Sequence, residues 1–421
     1  MAESSAEIAI VGAGPSGAHL ASRLAAAGRD VVLFDPKGAW EKPCGGGVPT
    51  RAIKEFAFLL EDSRYPRKIV DRITMISPVG RRVTLKVTEP FAIYSREVLN
   101  GLVLDRALNA GARFVRAGVN DFSRGSGGWN ISTDDGRSWS ARFLVGADGA
   151  ASFTRRRLVG IFPKQDLALA FGYNVKESPT SGDVLSVHTG NRQIQKNCLE
   201  NAVIMRFHKN LVGYLWAFPR PGAMNFGIAS KLGEYTSDEL RVLLIEFIKD
   251  FYGGVFPNAE LTSFYGAKIP ILDYDSWSKL RTSGDDWALI GDAAGFVDPI
   301  TGEGIYYALK SADLMATSLL MIPRVSKVDT IPYQSSTIYS QVPESYERLW
   351  REVFGEELKH ASGMLPRFYR GYFAGQVFSN AMINIARYHK GVRKVLINLI
   401  VGQQSYLTLK QDLFKCILYP F

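Results

Sequence analysis

The chain is poor in the residues that cross-link a fold or bind metal. Its three cysteines, Cys44, Cys198 and Cys416, are far apart and form no CxxC or Cys/His pattern. That excludes a disulfide framework or a structural zinc site and suits a reducing cytosol. The five histidines show no HExxH or related spacing, so no metal is expected. No apolar run approaches the roughly 20 residues that span a bilayer. The opening stretch Met1 to Ala6 is polar, so no charged-then-apolar leader is expected and the expected location is cytoplasmic. Internal repeats and low-complexity tracts are missing as well.

What is there is ordinary for a globular protein: 421 residues, 46% hydrophobic and 22% charged, enough for two or three domains. The net charge of +9 is unevenly placed, because between residues 358 and 421 nine Lys or Arg residues face one acid, Asp412. Phe368, Tyr369, Tyr372 and Phe373 lie beside Arg367 and Arg370 in this tail. Such a segment suits peripheral contact with a membrane or an anionic headgroup, and equally a solvated helical face. No nucleic-acid-binding motif accompanies the charge, so nucleic acid is not an expected partner.

The first thirty-five residues carry the clearest pattern. Ile8 to Val11 is an apolar run of strand length, followed by Gly12-Ala13-Gly14-Pro15-Ser16-Gly17, a helical stretch from Ala18 to Ala27, and a second run, Val31 to Phe34, closing on Asp35. Strand, glycine turn, helix, strand and acid at this spacing make a dinucleotide-binding unit. Gly12 permits the tight turn, Gly14 the approach of a pyrophosphate, and Gly17 close packing of helix on strand, while Asp35 can accept from a ribose. The free N–H groups at the helix start favour phosphate.

Further along, Lys42-Pro43-Cys44-Gly45-Gly46-Gly47 can be neither helix nor strand and reads as a loop where a ligand touches backbone. Ile69 to Val87 alternates around Pro78 to Arg81, a hairpin signature. Arg96 opens a helical pattern, Gly146-Ala147-Asp148-Gly149 follows a strand, and Gly291-Asp292-Ala293-Ala294 follows another. From about Asp166 to Pro270 the texture is short aromatic-rich strands, interrupted by one amphipathic helix from Ser237 to Tyr252.

The glycine turn, Arg96, the Asp148 motif and the Asp292 motif, in this order, resemble the FAD-dependent family built like p-hydroxybenzoate hydroxylase. Within it, the Lys42 to Gly47 loop and Tyr214-Leu215-Trp216-Ala217-Phe218-Pro219 are similar to the loop and the YxWxFP motif of geranylgeranyl reductases. A proline usually stands three residues before that tyrosine; here the position is Leu211. The resemblance covers about residues 5 to 320. It implies α/β plus α+β architecture: a Rossmann-type FAD-binding domain in residues 1–165 and 276–325, a mainly antiparallel-sheet substrate domain in 166–275 that 76–94 joins, and a helical C-terminal region, 326–421.

The resemblance also implies site residues. FAD contacts are expected at Gly12, Ala13, Gly14, Pro15, Ser16, Gly17, Asp35, Gly45, Gly47, Arg96, Val119, Asp148, Asp292, Gly302, Gly304 and Ile305. Tyr214, Trp216 and Phe218 alternate along a strand and would pack a prenyl chain, though the same alternation describes a domain core. Cys44 would lie near the reacting end of the substrate, to position it or to donate a proton. The implied activity is saturation of prenyl double bonds by hydride from reduced FAD, with NAD(P)H as a transient reductant. The substrate would be a prenylated lipid, a diphosphate or a quinone. The alternative is a flavin monooxygenase or halogenase using O₂, since halogenases carry a related WxWxIP motif.

Overall fold

The computed structural model describes residues 4–125, 127–176, 187–188, 193–194, 201–323, 338–373 and 375–418; Cys198 lies outside them. The opening strand, Ser4–Val11, sits inside the first of two large sheets, and its last six residues are all buried. Burial of successive residues is what a parallel strand covered on both faces requires. The strand order is Ser283–Gly284, Trp287–Leu289, Ser138–Gly146, Ser4–Val11, Val31–Phe34, Arg113–Val115. Ile8 pairs with Val31 on one side and Phe143 on the other, both in parallel register. The helix Pro15–Ala26 packs against the helices Arg96–Asn109 and Ile305–Leu320. This is a Rossmann-like sheet, and its strands end together at Val11, Phe34, Gly146 and Leu289. Ligands of such sheets bind outside these carboxyl ends.

The second sheet has the order Thr262–Pro270, Leu167–Lys176, Ala223–Lys231, Gly213–Arg220, Ala202–Arg206, Arg67–Ile76, Arg82–Tyr94, Gly47–Val48, so the glycine loop, read as neither helix nor strand, ends at Gly47 in a short edge strand paired with Ile93. The hairpin formed by Arg67–Ile76 and Arg82–Tyr94 thus enters this sheet. Every pairing is antiparallel except that of Ala202–Arg206 with Arg67–Ile76. One face is covered by the helix Ser237–Phe251, whose Leu240, Leu244, Phe247, Ile248 and Phe251 form its buried side. That helix starts with a capping box: Thr236 Oγ1 accepts the Glu239 N–H and Glu239 Oε2 accepts the Thr236 N–H.

The other face meets the C-terminal helices Glu356–Arg370, Phe378–Ala386 and Lys390–Ile400. Here one expectation is corrected. Phe368 and Tyr369 are not surface aromatics but core: they are 7% and 4% exposed and pack on Phe207. The apolar side of the Glu356–Arg370 helix seats on the sheet, and its polar side takes Arg370 outward to pair with Glu234 at 2.9 Å. Tyr372 and Phe373, just past the helix, stay exposed. Among the described residues no helix is long and apolar enough to cross a membrane.

Candidate active site

Between the carboxyl ends of the parallel strands and the face of the second sheet that carries Tyr214, Trp216 and Phe218 lies a cavity of about 520 Å³. Its lining includes every site residue expected from the sequence except Ala13 and Gly17. These two act from behind. The Ala13 N–H donates to Asp35 Oδ2 at 2.9 Å, fastening the turn to the end of the second strand. Gly17 packs so tightly that a Cβ there would stand 1.9 Å from the Gly12 carbonyl oxygen. Gly14 is the opposite case, with nothing within 4 Å of an added Cβ. It is also the N-cap of the Pro15–Ala26 helix and supplies no side-chain cap, which leaves the helix's first N–H groups without a side-chain acceptor from that position.

Those features fit a dinucleotide. An open approach at Gly14, uncapped helix donors and the buried Arg96 Nε, which has no partner among the described residues, together offer positive charge and donors to a pyrophosphate. Asp35 Oδ1 accepts the N–H groups of Lys37 and Gly38 at 2.8 and 2.9 Å, which fixes the carboxylate at the strand end. Asp148 is spent largely on its own loop: it accepts from the Ser152 hydroxyl and from the Thr154 N–H and hydroxyl. Burial pushes its carboxyl above the usual range against these donors. Asp292 pairs with Lys42 Nζ at 2.8 Å, tying the first sheet to the cysteine loop. The residues of this cradle therefore suit FAD.

The cysteine loop is held by an ion pair that the sequence did not reveal. Buried Arg220 donates to Glu41 Oε1 at 2.7 Å, to Asn174 Oδ1 at 3.2 Å and to the Cys44 carbonyl. Glu41 also accepts from the Ser95 hydroxyl and the Glu97 N–H, at the start of the Arg96–Asn109 helix. Burial raises the Glu41 carboxyl, but the Arg220 charge, the Ser95 hydrogen bond and the helix-start donor together hold it below its usual value. Gly46 takes a φ of +83°, and a Cβ would meet the Tyr94 carbonyl at 1.9 Å. Only glycine fits there. The Cys44 Sγ accepts the Gly46 N–H at 3.3 Å and is partly exposed to the cavity.

Opposite this loop, Tyr214, Trp216 and Phe218 form a ladder with ring centroids 5.9 and 6.2 Å apart. Each polar tip is satisfied. The Tyr214 hydroxyl donates to the Thr301 carbonyl at 2.5 Å, and Trp216 Nε1 to Asn225 Oδ1 at 2.8 Å. Burial pushes the Tyr214 phenol up, so it stays neutral. An added Cβ on Gly45 would lie 2.8 Å from Phe218, so loop and ladder are in contact. The result is an apolar wall facing a dinucleotide cradle across one space.

The loop before the Ile305–Leu320 helix closes the cavity and is fixed from the C-terminal region. The Tyr369 hydroxyl donates to the Ile300 carbonyl at 2.6 Å and the Tyr406 hydroxyl to Asp298 Oδ2 at 2.7 Å. Glu303, inside this loop, lines the cavity. Gly302, Gly304 and Ile305 around it were expected at the site from the sequence, whereas the surroundings of Glu303 depend on partners from other parts of the chain.

Comparison with known proteins follows the same lines. Residues 10–58 match the family described as an NAD(P)-binding Rossmann-like domain. A geranylgeranyl diphosphate reductase of Rhodobacter capsulatus is 30% identical over 305 residues, 71% of this chain and 71% of that one. A digeranylgeranylglycerophospholipid reductase of Methanosarcina mazei is 25% identical over 373 residues, 84% of this chain and 82% of its own length. In fold, the chain is similar to a geranylgeranyl bacteriochlorophyll reductase-like protein of Thermoplasma acidophilum. The TM-score is 0.74 at 20% identity, over 98% of this chain and 100% of the other.

Proposed function

The chain belongs to the geranylgeranyl reductase family of FAD-dependent oxidoreductases, and on that premise we propose that it saturates carbon–carbon double bonds in the prenyl chain of a lipid, a diphosphate or a quinone. One observation carries this reading: the dinucleotide cradle and the aromatic ladder open into the same cavity. Gly12 to Gly17, Asp35 and Arg96 would hold the dinucleotide half of FAD, and Asp292 with the Gly302–Ile305 helix start its flavin half. Bound FAD, reduced by NAD(P)H, supplies hydride there. The protein's own task is to keep water out, seat the chain and provide a proton. Tyr214, Trp216 and Phe218 offer apolar faces to the chain, and their π clouds favour positive charge developing on an alkene carbon. Cys44, presented by a loop pinned through Arg220, orients the reacting end. Purified protein given FAD, NADPH and geranylgeranyl diphosphate or a geranylgeranyl glycerophospholipid without O₂ is expected to release product heavier by two hydrogens per reduced bond. Product that appears only with O₂, and carries oxygen or halogen, would instead favour the monooxygenase or halogenase.

The proposal extends to peripheral membrane contact. Tyr372, Tyr388 and Phe414 are exposed, and in sequence they stand near Arg370, near Arg387 and Lys390, and near Lys410 and Lys415 respectively, a combination suited to anionic interfaces. Replacing Tyr372 and Tyr388 together with serine is expected to lower sedimentation with anionic vesicles several-fold without changing the thermal midpoint. Unaltered sedimentation would remove this part of the reading.

A further inference from the structure

Prenyl saturation needs a proton as well as a hydride, and most acidic hydrogens around the cavity are already committed. The Tyr214 and Tyr369 hydroxyls donate to the carbonyls of Thr301 and Ile300, the Tyr406 hydroxyl to Asp298, and the Tyr265 hydroxyl to Asn225. Of the thiols and carboxyls on the lining, Asp35 accepts the Lys37 and Gly38 N–H groups, Asp148 is held by Ser152 and Thr154, and Asp292 pairs with Lys42, which leaves the Cys44 thiol and the Glu303 carboxyl.

Glu303 stands just before the Ile305–Leu320 helix. Its Oε1 accepts the Tyr306 N–H at 2.7 Å, and among the described residues it has no hydrogen bond to another side chain and no lysine or arginine paired with it. Asp298 faces it from its own loop, Tyr307 from the helix, and Tyr214 from the aromatic strand. Cys44 faces the same Tyr214 from its loop, and Asp292 Oδ1 is 3.2 Å from where a Cβ on the adjacent Gly304 would stand. The Arg51 charge favours the ionised Glu303 carboxyl from over the Tyr306 ring, where its guanidinium lies 4.2 Å from the centroid. Enclosure, and secondarily the Asp298 charge, outweigh the helix-start donors and push the Glu303 carboxyl up to about 8. A carboxyl in that state holds its proton at neutral pH and can deliver it.

We propose that Glu303 is the acid that protonates the alkene during prenyl saturation, an inference that rests on the proposed function. One alkene carbon takes hydride from the reduced flavin, and the other forms a C–H bond as the Glu303 O–H bond breaks. The electron pair of that bond stays on the carboxylate, which regains a proton from water before the next turnover. Cys44 then orients the substrate and is not consumed as an acid.

The test uses holoenzyme reduced in the absence of O₂ and mixed with geranylgeranyl diphosphate across a range of pH. Wild-type single-turnover rates are expected to fall above pH about 8. Glu303→Gln is expected to lose about 100-fold or more, and its residual rate should lack that alkaline limb. Glu303→Asp should recover part of the rate, and Cys44→Ser should keep the limb. A readout independent of turnover is the infrared band of a protonated carboxyl in the resting protein. It is expected to lose amplitude on titration through pH about 8 in the wild type, and Glu303→Gln should show no step near that pH. A wild type that saturates the probe while Glu303→Gln matches it in rate and pH profile overturns the assignment alone. So does loss of the limb in Cys44→Ser, or a resting protein without the titrating band. A wild type that never saturates the probe overturns the function with it.

Discussion

Replacing Gly17 with alanine is expected to strip the protein of FAD and to lower its stability by about 1–3 kcal/mol. The added methyl would lie 1.9 Å from the Gly12 carbonyl oxygen and 3.1 Å from the Ala147 Cβ. Gly12 is part of a turn whose amide donates to the Phe34 carbonyl at 2.7 Å, so the obstacle is hydrogen-bonded backbone and cannot swing aside. The helix must move off the sheet, and its first N–H groups move with it. Gly14→Ala separates binding from folding. Its methyl meets nothing within 4 Å, so the thermal midpoint should stay near that of the wild type. That same methyl occupies the approach a pyrophosphate needs, so flavin affinity should fall on the order of 10- to 100-fold, equivalent to about 1.4–2.8 kcal/mol. Flavin-to-protein ratio and thermal midpoint, measured on both variants, check the pair. A Gly17→Ala protein that keeps its full flavin complement would contradict the packing argument.

Arg220→Ala is expected to cost about 2–3 kcal/mol of stability and to reduce turnover further than that loss explains. The guanidinium is almost fully buried, with its side chain 4% exposed. It serves Glu41, Asn174 and the Cys44 carbonyl at once. Truncation leaves the carboxylate with hydroxyl and backbone donors only and frees the loop that presents Cys44. Lysine should rescue poorly, because a single ammonium cannot replace the planar fork across three acceptors. The pH dependence has a definite sign. Arg220 and the helix-start donors hold the Glu41 carboxyl below its unfolded value despite burial. The stabilisation is therefore complete above the usual carboxylate range and is lost as pH falls below it. In Arg220→Ala this acid-side loss should shrink, giving a flatter stability curve below pH about 4.5. Denaturant midpoints followed from neutral pH down to well below pH about 4.5 measure it, and identical slopes for variant and wild type over that acid range would contradict the ion pair's role.

The parts of this molecule that were legible in the sequence are those made by neighbours in the chain. Glycine turn, helix, strand and Asp35 fall within the first thirty-five residues, and the alternation of Tyr214, Trp216 and Phe218 within one strand. Local sterics and the strand period dictate both. What could not be read is made by contacts at long separation. Arg220 meets Glu41 across 179 residues, and Tyr406 meets Asp298 across 108; neither residue type announces its partner. Phe368 and Tyr369 were misread because basic residues stand beside them. The side of a helix that seats on a sheet is decided by the sheet's apolar face, here Phe207 and its neighbours. Ala202–Arg206 gives no sign of its parallel partner for a similar reason, since pairing direction follows from where the chain returns. Glu303 lies between the two cases. Its motif is local, whereas the enclosure that keeps it protonated comes from several distant segments.

The central claim, that one cavity brings reduced flavin and a prenyl double bond together, is tested most directly by a single mixing experiment. Holoenzyme with its flavin reduced beforehand is combined, without O₂, with geranylgeranyl diphosphate or a geranylgeranyl glycerophospholipid, and flavin absorbance is followed alongside product mass. The account predicts re-oxidation of the flavin in step with saturation of the prenyl chain. A flavin that stays reduced against both lipids and is re-oxidised only when O₂ is admitted would contradict it.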